Sequence, residues 1–213
     1  MRALIITIGI ALTMGACTKN KFRIGKRTAS TPAAQDQKPG EASPEEKAKM
    51  ANSTLVWKRY RALESGVAAA LALPKEQLCV EAGTHSCIDK VHLTILGGND
   101  PIDNGQYERS DNPSVLAALA VDRFITSACS QRITLDKGGN VQVFKHFPLN
   151  AGSINAEQAK AQATELYQRF LARDPAPQEL EVIAGFAAGA GNAEQAAMAL
   201  CYAIGTQAEN IFL

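Results

Sequence analysis

Residues 155–213, NAEQAKAQATELYQRFLARDPAPQELEVIAGFAAGAGNAEQAAMALCYAIGTQAENIFL, decide the fold class. The stretch opens on Asn155-Ala156-Glu157-Gln158, and the same tetrapeptide returns at Asn192-Ala193-Glu194-Gln195. An asparagine oxygen can accept a free N–H of a helix's first turn, and a glutamine three places on can reach back to the asparagine backbone. Between the two lies Asp174-Pro175-Ala176-Pro177, a turn that stops one helix and starts the next. The stretch therefore reads as three helices. The residues around the two tetrapeptides do not match, so shared start chemistry is favoured over an internal repeat.

Further toward the N-terminus, a helix is expected from Asn112-Pro113 to about Cys129, with Val115, Leu116, Leu119 and Ile125 inward. Ile133-Thr134-Leu135 and Val141-Gln142-Val143-Phe144 flank Lys137-Gly138-Gly139-Asn140, an alternation around a Gly-rich turn that predicts a small β-hairpin over 132–145. Ser43-Pro44-Glu45-Glu46 offers a capping serine, a proline at the first helical position and a reaching glutamate. Behind it Val56, Tyr60, Leu63, Val67, Ala70 and Leu71 form one apolar stripe ending near Pro74, which Asn52-Ser53-Thr54 could divide in two. Trp57 beside that stripe reads as a core anchor. The expectation is a mainly α chain. A compact helical domain with one small hairpin would occupy 44–213, after a signal peptide over 1–16 and a disordered tether over 17–43, where apolar residues are few and without period.

Composition narrows the function classes. Of 213 residues, 46% are hydrophobic, 20% charged and 6% aromatic, and 22 basic groups face 21 acidic ones. There is neither the basic excess nor the aromatic supply of a nucleic-acid surface, so no nucleic-acid partner is expected. Arg2 lies in the leader, and Lys19, Lys21, Arg23, Lys26 and Arg27 lie just after it. The body from residue 28 onward thus keeps 16 basic groups against all 21 acidic ones, a net −5.

The first seventeen residues read MRALIITIGIALTMGAC. A short positive start precedes an apolar run over 3–14, shorter than the roughly 20 residues that span a bilayer and of the length of a signal-peptide core. Gly15 and Ala16 then precede Cys17. This pattern resembles the lipobox of bacterial lipoproteins, with Met14 where leucine is usual. The resemblance implies cleavage before Cys17, lipidation of Cys17 (palmitate among the acyl groups) and a membrane anchor in the cell envelope. Thr18 stands where an aspartate would mark inner-membrane retention, so the outer membrane is the expected address, on its periplasmic or surface face. An ordinary secretory signal or a retained anchor is the competing reading, and the basic cluster after the leader does not favour export.

The runs LYQRFLARDPAPQELEVIAGF (166–186) and LCYAIGTQAENIFL (200–213) resemble helical modules of planctomycete and myxobacterial envelope proteins that accompany cytochrome-c-like domains. The resemblance rests on helix-packing positions and implies a helical fold in an envelope setting. The haem attachment pattern Cys-x-x-Cys-His does not occur in the chain, so no cofactor is carried over.

Setting Cys17 aside leaves Cys79, Cys87, Cys129 and Cys201, an even number in an oxidising compartment. Two disulfides, 79–87 and 129–201, are expected among three possible connectivities, with a metal site or buried thiols as the alternatives. His85, Asp89 and His92 would share one face if their segment were helical, a plausible first shell for a transition metal against the plainer reading of a polar face. The loop from Gly97 to Pro113 carries Asp100, Asp103, Asn104, Glu108 and Asp111. Counted from Asp100 it partly follows a calcium-loop spacing, but Ile102 cannot ligate and Asp111 replaces the usual glutamate. With Arg109 its single basic residue it is a candidate binding loop for a cation or basic surface, against a turn-rich surface loop without a guest. No nucleophile elbow or zinc-protease motif occurs. The expectation is a non-enzymatic, lipid-anchored envelope protein that binds or assembles with an envelope partner and needs no cofactor. A metal-binding or redox accessory factor is the alternative.

Overall fold

The computed structural model describes residues 56–110 and 112–213. They are mainly helical with one two-stranded hairpin, in line with the expected class. The cap at Ser43, the break at 52–54, Cys17 and Asp111 lie outside the described residues. No helix among the described residues is long and apolar enough to cross a membrane.

Helix α1 (Tyr60–Ala70) buries Leu63, Val67 and Ala70 from the anticipated stripe. Residues 56–59 do not join it. They run extended because Trp57 pairs antiparallel with Phe212: Val56 and Leu213 exchange backbone hydrogen bonds of 3.1 and 2.7 Å, and the Lys58 N–H donates to Ile211 at 2.9 Å. Trp57 is buried beneath this bridge, and Val56 is exposed. Ala72 turns the chain at φ 49°, and Pro74 precedes the short helix α2 (Lys75–Leu78).

The hairpin follows, in a different place from the one expected. β1 (Val80–Glu81) pairs with β2 (His85–Ser86) in the register Val80↔Ser86 and Glu81↔His85, turning through Ala82 and Gly83 at φ 50° and 74°. A disulfide between Cys79 and Cys87 closes its base. A single π-helical turn (Cys87–Val91) comes next, started by the Ser86 Oγ, which accepts the Asp89 N–H at 3.1 Å.

Helix α3 (Val115–Lys137) continues through the first half of the expected 132–145 hairpin. The reason is a pair of charges. Arg132 and Asp136, four residues apart, lie on the buried face and meet at 2.6 Å. The Asp136 carboxylate also accepts the N–H groups of Gln142, Val143 and Phe144 at 2.9, 3.1 and 2.7 Å. The segment after Gly138 and Gly139 therefore folds back as a loop gathered on one carboxylate, not as a second strand. The inward face of α3 differs too. Ile125 is buried as expected, but Val115, Leu116 and Leu119 are 88%, 56% and 57% exposed. Ala117, Ala120, Val121, Phe124 and Ala128 point inward instead. Small side chains recur at the same helical spacing as large ones, and they permit closer approach of neighbouring backbone.

The C-terminal stretch forms the three anticipated helices. α4 (Ala156–Leu171) starts with a reciprocal box, Asn155 accepting the Gln158 N–H at 2.8 Å and donating its own N–H to Gln158 at 3.0 Å. α5 (Pro177–Ala188) has its proline in the first turn. α6 (Ala193–Gly205) starts where Asn192 accepts the Gln195 N–H at 2.9 Å. A final short turn, α7 (Ala208–Ile211), leads into the bridge with Trp57. α4, α5 and α6 pack on one another, and α6 also packs on α3. The α3–α6 pair is antiparallel: Lys137 meets Glu194 at one end, and Cys129 is bonded to Cys201 nearer the other. A Cβ on Gly205 would lie 2.9 Å from Ile125 Cγ2, so the two helices meet closely there.

Candidate functional site

One flank of α3 carries a polar stripe: Asp122, Arg123, Thr126, Ser127, Ser130 and Gln131 fall in pairs at successive turns, exposed or half-buried beside the alanine face. The hairpin strand β1 stands over one side of this stripe and α6 borders the other, leaving an open cleft of about 730 Å³. Both disulfides brace its walls. Cys79, whose bond to Cys87 holds the hairpin base, lines the cleft itself. The Cys129–Cys201 bond fixes α3 against α6 beside Ser130 and Tyr202.

The charged groups of the cleft are paired across its walls. The Glu81 carboxylate on β1 accepts from the Arg123 guanidinium on α3 at 2.8 Å. Tyr202 on α6 donates its hydroxyl to Asp122 on α3 at 3.0 Å, and this hydrogen bond to a carboxylate raises the phenol's pKa. Behind Glu81, the His92 Nε2 lies 3.7 Å from the same carboxylate oxygen. His92 is buried with neither ring nitrogen hydrogen-bonded. Burial, then the Arg123 charge, lower its pKa against the opposing pull of Glu81, so the imidazole is neutral around pH 7.

On the far side of Tyr202 lies a second depression, about 550 Å³, of opposite character. Phe186 of α5 and Met198, Ala199 and Ala203 of α6 line it, and Thr126, Gln195 and Tyr202 are its polar members. Thr126 and Tyr202 line both depressions, so the two adjoin along one ridge. Phe186 is 69% exposed, and Val182, one turn earlier on α5, is 72% exposed.

Of the residues singled out from sequence, Cys79 lines the cleft, and the candidate metal and loop residues fall outside it. The disulfides 79–87 and 129–201 are both present. His85, Asp89 and His92 do not form one face: His85 is on β2, Asp89 is in the π turn with Ser86, and His92 is buried against Glu81. The segment is a strand followed by one wide turn, so the spacing of an α-helix does not apply to it. In the loop, Asp100 uses its carboxylate internally, accepting the Asp103 N–H at 3.1 Å and the Asn104 side-chain N–H at 2.8 Å. Asp103 faces Lys90 at 3.8 Å, and Glu108 contributes its backbone carbonyl to Gln106. Among the described residues no three His, Cys, Asp or Glu side chains converge on a point that could hold a metal ion. Ahead of this loop, after the π turn, the chain runs through turns to Gly97.

Asp122 and Arg123, adjacent on α3, each reach to a different element, Asp122 to Tyr202 on α6 and Arg123 to Glu81 on β1. Glu81 and Tyr202 were not singled out. The polar stripe of α3 was a readable signal for one wall, but its partners come from positions more than forty residues away on either side. The chain matches no protein-family model, no curated protein and no solved structure.

Proposed function

We propose that this chain is a lipid-anchored protein of a bacterial envelope, held at the outer membrane through Cys17, whose helical body is a non-enzymatic binding module. The observation that carries the binding reading is the junction at Tyr202, where a hydrogen-bonding cleft and an apolar groove adjoin on an otherwise ordinary helical scaffold. Exposed apolar surface rimmed by polar groups is a feature of interaction sites. The charged side chains lining the cleft, Glu81, Asp122 and Arg123, are engaged in fixed pairs, an arrangement that suits recognition better than proton transfer. The two disulfides suit an oxidising compartment. The anchor rests on the lipobox-like residues that end at Cys17.

Labelled palmitate fed to a bacterial host expressing the chain tests the anchor. The wild-type chain takes up label and sediments with outer membranes, and the Cys17→Ser chain takes up none and is retained less. Equal labelling of the two chains overturns the anchor.

A further inference from the structure

We propose that the ridge at Tyr202 is the binding site of a single amphiphile, its uncharged, hydroxyl-rich head in the polar cleft and its hydrocarbon chain in the apolar groove. The proposal rests on the binding-module reading and names its ligand class. Continuity comes first. Thr126 and Tyr202 belong to both depressions, so the two adjoin at a shared wall and one molecule can reach into both. The ridge is also fixed. The Tyr202 hydroxyl is tied to Asp122, and the neighbouring Cys201 is bonded to Cys129 of α3.

The groove dictates the tail. Phe186, Met198, Ala199 and Ala203 offer no charge and no strong hydrogen-bonding group. Methionine is unbranched and adapts to the shape of a chain. Phe186, left 69% exposed, gains from being covered by apolar matter.

The cleft dictates the head. Its charged lining consists of Glu81, Asp122 and Arg123, a net charge of −1, which opposes an anionic head. Glu81 and Arg123 already neutralise each other at 2.8 Å, so a charged head of either sign would compete with an existing pair. Hydroxyl groups need displace neither. They can donate to carboxylate oxygens of Glu81 and Asp122, and accept from Arg123, Thr126 and Ser130, each of which keeps donor capacity. Among head groups, a glycosyl or glycerol type presents donors and acceptors in that mixture.

The test uses the purified full-length chain carrying Cys17→Ser, so that acylation of the protein, a separate matter, does not enter. Octyl, nonyl and decyl glucosides are titrated below their micelle concentrations by calorimetry, alongside decyl sulfate and decyltrimethylammonium. We expect saturable binding of one glucoside per chain, tightening about fourfold with each added methylene. Phe186→Asp, at an exposed position, is expected to weaken the decyl glucoside at least tenfold and flatten the chain-length series. Ser130→Trp, also exposed, narrows the cleft and is expected to weaken the glucosides while leaving the chain-length slope. Circular dichroism checks the fold of each variant, and Ala199→Trp fills the groove as an independent second variant should Phe186→Asp unfold. Absence of saturable glucoside binding overturns the proposal, as does a slope that survives in a folded groove variant. Decyl sulfate or decyltrimethylammonium binding as tightly as the glucoside overturns the head assignment. Saturable binding of decyl sulfate or decyltrimethylammonium without the glucosides overturns this ligand class and leaves the binding-module reading standing, and none of these outcomes bears on palmitate uptake at Cys17.

Discussion

The guanidinium of Arg132 and the carboxylate of Asp136 meet at 2.6 Å with both side chains withdrawn from water. Arg132 also donates to the carbonyls of Asn140 at 2.6 Å and Ala72 at 3.4 Å, while Asp136 gathers three successive N–H groups of the following loop. One buried pair thus joins α3, the turn after α1 and the loop that leads to α4. Removing one member leaves the other's charge buried, which is the costly way to break such a pair.

Asp136→Ala strands both the Arg132 charge and three N–H donors, and is expected to cost about 3–5 kcal/mol of unfolding free energy in urea. Arg132→Met leaves Asp136 with its backbone donors and is expected to cost less. A smaller loss for Asp136→Ala than for Arg132→Met contradicts this account.

His92 predicts a pH dependence. Burial, then Arg123, hold its imidazole below the ordinary value of 6.5, against Glu81. The unfolded chain takes up a proton near 6.5 that the folded chain resists. The stability associated with neutral His92 is therefore complete above that pH, and is lost as pH falls from there toward the lowered native value. Comparing wild type with His92→Leu between about pH 8 and pH 5, where histidine is the ordinary titrating side chain, cancels the other groups. The wild-type chain is expected to lose more stability than the variant on that descent. Parallel stability curves for the two proteins remove His92 from the explanation.

The two disulfides differ in the chain they close. Cys129 and Cys201 are 72 residues apart, and Cys79 and Cys87 are 8 apart. On the loop-entropy account, losing the first by Cys129→Ala/Cys201→Ala costs about 4 kcal/mol, and losing the second by Cys79→Ala/Cys87→Ala about 2–3 kcal/mol. In the Cys17→Ser chain, alkylation under denaturing conditions without reduction should label none of the four. Labelling of any one of them would falsify full pairing.

Arg173 fastens the C-terminus. It donates to Glu179 through two bonds of 2.8 Å and to Glu209 through bonds of 2.7 and 2.9 Å, and it lies 5.0 Å from the centre of the Tyr167 ring. The Arg173 hydrogen bonds, then the Ala176 N–H, hold the Glu179 carboxyl down to about 2 from an ordinary 4.5. The stabilising contact is present above the ordinary value and is lost as pH falls toward about 2. In Arg173→Gln, Glu179 should titrate closer to its ordinary value by NMR, and amide exchange at Asn210 and Phe212 should quicken. A Glu179 titration that stays put rules out the clamp.

Features that depend on neighbours along the chain are legible in the sequence. Asn155 with Gln158, Pro177 and Asn192 mark helix starts because a cap is satisfied within one turn. The mainly α class follows from those starts and from stripes such as Leu63, Val67 and Ala70. The economical cysteine pairing was also legible, since Cys79 and Cys87 bracket a short loop and two partners remained. Which side of a helix faces in, and which distant groups meet, depends on packing between elements. On α3 the alanine stripe and the Val115–Leu119 stripe share one period, and the choice between them belongs to the helices that pack there. The run from 132 to 145 alternates like a hairpin, yet a buried Arg132–Asp136 pair keeps its first part helical and turns the rest into a loop. Glu81, Arg123 and Tyr202 come from a hairpin and two helices far apart in sequence. Local pattern records the period of a segment, whereas the cleft and groove at Tyr202 arise from close approach between segments, enforced by two disulfides and by side chains small enough to allow it.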